Sequence, residues 1–128
     1  MLGPTHSELL SRYVRELVSS APDGWERIVL YREIGHDAEE IIPIQTLECW
    51  SGASVNYDLS PTAMAELFMC EYYEACEITE DAWAAMKLEI FRDGRFRTRF
   101  FHAGTPMFDG NYAEMYRRIA LPFEAEGG

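Results

Sequence analysis

The strongest constraint on the fold is the run Arg92-Asp93-Gly94-Arg95, which joins two segments of alternating apolar residues. Asp-Gly favours a tight turn between antiparallel strands, because both residues of that turn tolerate positive φ angles. The alternating residues are Met86, Leu88 and Ile90 before the turn and Phe96, Thr98 and Phe100 after it. A period of two places such residues on one face of a sheet. The chain is therefore predicted to contain an antiparallel hairpin with one face in the core.

Further strands are predicted ahead of that hairpin. The first covers about Trp25–Ile34 and leads through a polar loop at 35–39 into a second strand over about Glu40–Trp50. In the first strand, Ile28, Leu30 and Ile34 are predicted to share one face, and Arg27, Val29, Tyr31 and Glu33 the other. Pro43 in the second strand indicates an edge position or a bulge. A short third strand is predicted near 55–57.

Three helices are predicted from apolar residues that recur at helical spacing. The first extends from about Ser7 to Ser20. The second is predicted to begin with Ser60 as its N-cap and Pro61 in its first turn, and to end near Glu77. Its predicted core side is Met64, Ala65, Phe68, Tyr72, Ala75 and Cys76, and its predicted solvent side is Glu66, Cys70, Tyr73, Glu74 and Glu77 with Glu71 at the margin. The last helix is short and contains Tyr112, Met115, Tyr116 and Ile119.

The predicted order α-β-β-(β)-α-β-β-α, with hairpin-length connections, indicates an α+β fold. We expect an antiparallel sheet of about four to five strands with the helices packed on one face, in a single domain over residues 1–128. The first ten residues lack the basic and apolar segments of a secretory signal, and no apolar run approaches the ~18 residues of a membrane span. Three cysteines, an odd number, fit reduced thiols better than a disulfide framework. A cytoplasmic location is therefore predicted.

Negative charge is concentrated in the middle of the chain. The formal net charge is -11, and residues 33–86 contain no lysine or arginine. Their carboxylates are Glu33, Asp37, Glu39, Glu40, Glu48, Asp58, Glu66, Glu71, Glu74, Glu77, Glu80 and Asp81. Phosphate backbones and anionic lipids bind through Lys and Arg, so this field argues against direct contact with nucleic acid or a membrane. It would attract a basic partner, although a surface that only maintains solubility fits the composition equally well.

The sequence contains no recognisable catalytic or metal-binding motif. His6, His36 and His102 lie at no ligand spacing from one another or from a cysteine. Cys70 and Cys76 fall on the second predicted helix, with Cys76 toward the core and Cys70 half exposed. Phosphate loops, dinucleotide fingerprints and Gly-x-Ser-x-Gly are missing from the sequence. We therefore predict no enzyme activity, no metal and no cofactor.

Two charged clusters allow two interpretations each. Asp37, Glu39 and Glu40 could hold a divalent cation, although a solvated loop is favoured because the spacing of a calcium loop is missing. The other cluster is a stripe on the second strand of the hairpin, formed by Arg95, Arg97 and Arg99. This arginine stripe could bind phosphates, although pairing with the chain's own carboxylates is favoured.

Several segments carry a family resemblance. They are Ala21–Tyr31 after an amphipathic helix, Trp83, Lys87–Ile90, Asp93–Phe96 and the closing tyrosines Tyr112 and Tyr116. Together they resemble the YezG-like immunity proteins, also called EsaG-like. In that family Pro-x-x-Trp leads into the first strand, and Trp…Leu-x-(Leu/Ile)…Asp-Gly-(Lys/Arg)-Phe forms a hairpin. The resemblance spans about residues 8–120, and residues 40–60 depart from it.

This resemblance implies a bacterial antitoxin that binds and neutralises the secreted domain of a polymorphic toxin, often a nuclease, inside the producing cell. A nuclease must grip phosphate and is commonly basic there, so carboxylates can occupy its groove as phosphate surrogates. Opposite charges would also speed the encounter. The candidate contact residues are Asp37, Glu39, Glu40, Glu66, Glu71, Tyr73, Glu74 and Glu77. The sequence fits either a monomer or a dimer.

Three other functions are compatible with the same residues. A toxin that consumes a nucleotide or NAD could be inhibited through the arginine stripe or through the loop between Trp50 and Tyr57. A small enzyme or ligand-binding domain would have a pocket between helix and sheet, lined by His36 or His102 and a carboxylate. A general adaptor is the fourth candidate. Exposure of Trp50, Tyr57 or Tyr73 would indicate an interface, although core positions are slightly favoured for all three.

Overall fold

The computed structural model describes residues 6–37, 40–78 and 83–120. Its elements follow in the order α1 (His6–Ser19), β1 (Arg27–Asp37), β2 (Glu40–Ser51), β3 (Ser54–Asn56), α2 (Ala63–Ile78), β4 (Ala85–Phe91), β5 (Phe96–Phe101) and α3 (Tyr112–Ala120). The strands form one antiparallel sheet in the order β3-β2-β1-β4-β5. The predicted α+β class and the predicted order of elements are confirmed.

The β4–β5 hairpin forms at the predicted turn. Gly94 has a φ angle of 92°, which glycine adopts without steric cost. The backbone N–H of Arg95 donates to Oδ1 of Asp93 over 3.0 Å, and this bond closes the turn locally. Beyond it the strands pair Ile90 with Phe96 and continue to Ala85 and Phe101. The turn therefore sets the register of the whole hairpin.

The first hairpin is longer than predicted. Strand β1 continues through Gly35 to Asp37, which pairs with Glu40, so the predicted loop at 35–39 is wrong for most of its length. Pro43 pairs with Ile34, whose N–H donates in the opposite direction to the carbonyl of Ala84 over 2.9 Å. Pro43 therefore lacks its N–H at a position where the pairing of β1 with β2 requires no hydrogen bond from it. Strand β3 pairs only with residues 49–51, which confirms the predicted edge position of Pro43 among the described strands.

Helices α1 and α2 cover one face of the sheet and form the main core with it. Their apolar side chains pack on the even-numbered residues of β1, including Ile28 and Leu30, and on Leu88 and Ile90 of β4. The two helices also contact each other through polar groups. Nε2 of His6 lies 3.1 Å from the carbonyl oxygen of Ala75. Burial of these apolar stripes is the main source of stability on this face.

Helix α2 begins two residues later than its predicted first turn. The N–H of Ala65 donates to Oγ1 of Thr62 over 3.0 Å, and the N–H of Glu66 donates to the Thr62 carbonyl over 3.1 Å. Thr62 is therefore the N-cap, and the prediction of Ser60 as the cap is wrong. The hydroxyl of Thr62 also lies 3.3 Å from Oε1 of Glu16 in α1. This second contact joins α2 to α1 and favours Thr62 as the cap. Tertiary structure, rather than local sequence, therefore selects the cap.

Helix α3 lies on the opposite face of the sheet. Its Met115 is buried against Tyr31 of β1 and Ala85 of β4, and these three residues form a second, smaller core. Odd-numbered residues of β1 point to this face, so the large ring of Tyr31 needs a cover of its own. The expectation that the helices pack on one face only is therefore wrong. The predicted division of β1 into two faces is confirmed.

The segment before α3 is held by a buried carboxylate. Glu33 of β1 is completely buried. It accepts hydrogen bonds from the hydroxyl of Tyr31 over 2.5 Å and from the N–H groups of Met107 and Phe108 over 2.9 and 3.2 Å. A buried carboxylate needs such donors to replace water. Glu33 therefore attaches the loop after β5 to the centre of the sheet.

Arg118 of α3 completes this contact. Its Nη1 donates to the hydroxyl oxygen of Tyr31 over 3.3 Å, and its Nη2 donates to the carbonyl of Ala103 over 2.9 Å. Its Nε forms an ion pair with Glu114, one turn earlier, over 3.2 Å. The guanidinium also lies 4.4 Å from the ring centroid of Phe101. One arginine thus connects α3 to both the loop and the sheet.

Candidate partner-binding surface

Three carboxylates line the outer side of α2 toward its C-terminal end. Glu71 is half buried, and Glu74 and Glu77 are exposed. Their spacing of three residues places them along one side of the helix. In the described part of the chain no ion pair joins any of the three to a cation. We call Glu71, Glu74 and Glu77 the acidic face.

Glu66 does not share that environment, although it lies on the same helix. Its Oε2 is 3.3 Å from Nη1 of Arg32, and its Oε1 is 3.4 Å from Nε2 of Gln45. Because α2 contains no base, the sequence predicts that its solvent side carries unpaired negative charge. For Glu66 that expectation is wrong, because strand β1 supplies the cation.

Tyr73 is buried, with 6% of its surface exposed. Its ring meets that of Trp83 edge to face, with centroids 5.1 Å apart. Burial raises the pKa of its phenol, and the nearby carboxylate of Glu77 raises it further. The assignment of Tyr73 to the solvent side is wrong, since Trp83 draws it into the core. Met64 and Leu67, both about half exposed, take the outer positions instead.

The acidic turn between β1 and β2 is only partly described. The backbones of Asp37 and Glu40 pair across the hairpin. Glu39 lies outside the described residues, and so do the side chains of Asp37, Glu40 and His36. Their predicted role in contacting a partner stays a prediction.

The sheet face beside α3 carries the cations, and these pair with the chain's own acids. Nη2 of Arg97 and Nη1 of Arg27 each lie 2.9 Å from the buried carboxylate of Glu89. Nε of Arg95 lies 2.7 Å from Oδ2 of Asp93 in the turn. The prediction that this stripe pairs internally is confirmed for Arg95 and Arg97.

Lys87 lies buried in the same face. Desolvation by burial lowers the pKa of its ammonium, and the neighbouring guanidinium groups of Arg27, Arg97 and Arg99 lower it further. The carboxylate of Glu89 opposes this shift. This sheet face therefore carries several cations, whereas α2 contains none.

The aromatic residues proposed as interface anchors divide by position. Tyr57 is 65% exposed, whereas Trp50 is half buried beneath the guanidinium of Arg27, which lies 5.1 Å from the ring. Tyr112 and Tyr116 of α3, at spacing i and i+4, are also largely exposed. The slightly favoured core position is therefore wrong for Tyr57.

A cavity of about 130 Å³ lies between α2 and the sheet and is lined by Arg32, Ile34, Pro43, Cys70, Tyr73 and Glu74. The alternative prediction of a pocket between helix and sheet lined by His36 or His102 is wrong for His102, which is exposed and lines none of this cavity. Arg32 was not among the predicted site residues, although the sequence carries a signal for it. Arg32 has the same parity as Ile28, Leu30 and Ile34, so alternation places its charge on the core side of β1.

The thiols follow the predicted pattern, with Cys76 buried and Cys70 exposed. Within the described ranges, no three His, Cys, Asp or Glu side chains come together as a metal-binding group. None of the helices in those ranges is long and apolar enough to cross a bilayer.

No protein-family model matches the chain. No curated protein matches it at a significant level.

Proposed function

We propose that this chain is an immunity protein that binds a basic toxin domain, such as a nuclease, in the cytoplasm and blocks it without catalysing a reaction. The observation that supports this most is the separation of charge. Glu74 and Glu77 are exposed with no ion pair in the described part of the chain, while Arg27 and Arg97 are paired with Glu89, and Arg95 is paired with Asp93.

The acidic face is arranged to meet a cationic groove. Carboxylates along one side of a helix can pair with arginine and lysine groups that would otherwise hold phosphate. Because the acidic face is solvated before binding, it also attracts the partner over a Debye length of ~8 Å at physiological salt. Glu66 takes no direct part in this proposal, since Arg32 already neutralises much of its charge.

The first experiment asks whether there is a toxin at all. The chain is co-expressed with the reading frame next to its gene, and growth rescue and co-purification are measured. We expect the neighbouring product alone to stop growth and the pair to restore it. Growth arrest that this chain does not relieve would contradict the proposal.

The second experiment tests the acidic face. The double reversal Glu74→Lys/Glu77→Lys should slow association with the toxin by about tenfold or more and reduce its salt dependence. The matched control is Asp23→Lys/Asp109→Lys, which changes net charge equally at two exposed acids outside α2. Equal effects of the two double reversals would assign the attraction to net charge alone. A loss of binding on alanine substitution of Tyr57, with the reversals silent, would move the contact to the β3 end of the sheet.

A further inference from the structure

Arg32 brings an incompletely bonded guanidinium to the cavity between α2 and the sheet. Only 3% of its surface is exposed. Its Nη1 donates to Oε1 of Gln45 over 2.7 Å and to Oε2 of Glu66 over 3.3 Å. Its Nε is buried and has no hydrogen-bond partner in the described part of the chain. A buried donor without an acceptor is unfavourable by about 1–3 kcal/mol, so a ligand oxygen at this position would be stabilising.

The unbonded edge of this guanidinium defines the chemistry of the first contact. Both hydrogen bonds use Nη1, so the edge formed by Nε and Nη2 makes none with the described residues. Two parallel N–H groups on one edge match the two oxygens of a carboxylate. The first group of the ligand is therefore a carboxylate or a similar planar oxyanion.

A second charged group at the cavity disfavours a simple anion. Glu74 lines the same space and is exposed, with no ion pair among the described residues. Its carboxylate repels a bare anion and accepts hydrogen bonds from an ammonium. Ile34 and Pro43 supply an apolar wall between these polar groups. The cavity thus offers a donor edge, an acceptor and a small apolar surface.

We propose that this cavity binds a small zwitterion of the free α-amino acid class, with its carboxylate on Arg32 and its ammonium on Glu74. A volume of about 130 Å³ equals roughly four liquid waters and suits a molecule of about six bonded non-hydrogen atoms. Glycine and alanine have this size. The site shares Glu74 with the acidic face, but its test requires no toxin and gives its answer whether or not the chain is an immunity protein.

The test compares whole and half ligands by calorimetry or by chemical-shift titration. Glycine and L-alanine should bind with a Kd of about 1 mM or below, and acetate and methylammonium should each bind about tenfold more weakly. If neither amino acid shows saturable binding at concentrations up to about 10 mM, the proposal is wrong. Acetate that binds as tightly as L-alanine would overturn the zwitterion assignment.

Two matched variants locate the site. Glu74→Gln should weaken L-alanine about tenfold or more, because it removes the charged partner of the ammonium. Glu77→Gln is the same substitution about one turn further along α2. Glu77 does not line the cavity, so this variant should bind L-alanine with unchanged affinity. Equal affinities of the two variants for L-alanine would overturn the proposal. Arg32→Lys keeps the charge but loses the two-pronged edge, and it should also abolish binding if circular dichroism shows a native fold.

Discussion

Tyr13 and Tyr31 are both fully buried, but they lie on opposite faces of the sheet and in different surroundings. Tyr13 is a residue of α1 and belongs to the main core. Its hydroxyl has no hydrogen-bond partner among the described residues. The hydroxyl of Tyr31 donates to Glu33 and accepts from Arg118. The main face is therefore held by apolar packing over a large area, whereas the second face depends on a few polar contacts. Single substitutions should affect the two faces very differently.

Glu33→Ala should have the largest effect, because it removes the acceptor for Tyr31, Met107 and Phe108 together. We expect a loss of about 3–5 kcal/mol in the free energy of unfolding, measured in urea. Glu74→Ala is the control, since an exposed carboxylate without a partner should change stability by no more than about 0.5 kcal/mol. Similar losses for the two variants would contradict the anchoring role of Glu33.

Gly35→Ala should come next. The ring of Phe108 lies directly over Gly35, and an added Cβ would meet its Cζ at 2.6 Å. Strand β1 imposes no positive φ at this residue, so the effect comes from the ring. We expect a loss of about 1–3 kcal/mol in thermal or urea unfolding.

The same substitution made in a Phe108→Ala background tests the cause. Without the ring, Gly35→Ala should cost much less, with a coupling energy of at least about 1 kcal/mol between the two sites. Additive effects would mean that the backbone, not the ring, excludes alanine.

Substitution of the two tyrosines tests the difference between the two faces of the sheet directly. Tyr31→Phe should lower the free energy of unfolding by about 1–2 kcal/mol, because it removes two hydrogen bonds from the second face. Tyr13→Phe removes an unpaired buried hydroxyl and should be neutral or raise stability by up to about 1 kcal/mol. The check is urea unfolding of both variants at neutral pH. Equal losses would remove the distinction between the faces.

Alkaline pH should produce a smaller difference. Burial raises the pKa of both tyrosines well above the ordinary value of 10.0, with Glu66 contributing at Tyr13 and Glu33 at Tyr31. Above pH 10 the unfolded chain loses these protons while the folded chain keeps them, so stability falls as pH rises. The slope is about 1.4 kcal/mol per pH unit for each tyrosine.

Tyr13→Phe should therefore reduce the alkaline loss without changing how stability depends on pH between pH 7 and 9. The lowered pKa of Lys87 acts in the opposite direction and is present in both proteins, so the difference between them isolates Tyr13. Urea midpoints between pH 7 and pH 11 provide the measurement. Parallel profiles above pH 10 would show that Tyr13 ionises equally in both states.

Local signals were enough to predict most of the fold. The Asp-Gly turn, the alternation in β1 and β4 and the amphipathic stripe of α1 each depend on neighbouring residues, and the structure confirms them. The wrong predictions concern residues whose environment depends on another residue that is distant in the sequence. Trp83 draws Tyr73 inward, Glu16 supports the cap at Thr62, and Tyr31 requires a helix on the second face.

The candidate site was less predictable for the same reason. The absence of bases near Glu66 in sequence indicated unpaired charge, but strand β1 brings Arg32 to it from 34 positions away. Exposure of Glu74 and Glu77 followed from helical periodicity alone. Periodicity can place a charge on a face, whereas only the assembled sheet determines whether that charge finds a counterion.

The hydrogen bonds that Glu33 accepts from Met107 and Phe108 span 74 and 75 positions of the sequence. During synthesis on the ribosome, β1 therefore leaves the exit tunnel well before the amides that satisfy its carboxylate have been translated. The nascent sheet must keep that group hydrated until the last elements arrive. Closure of the second face is thus a late event in folding, and a chain released before α3 is made would leave Tyr31 and Ala85 without the cover of Met115.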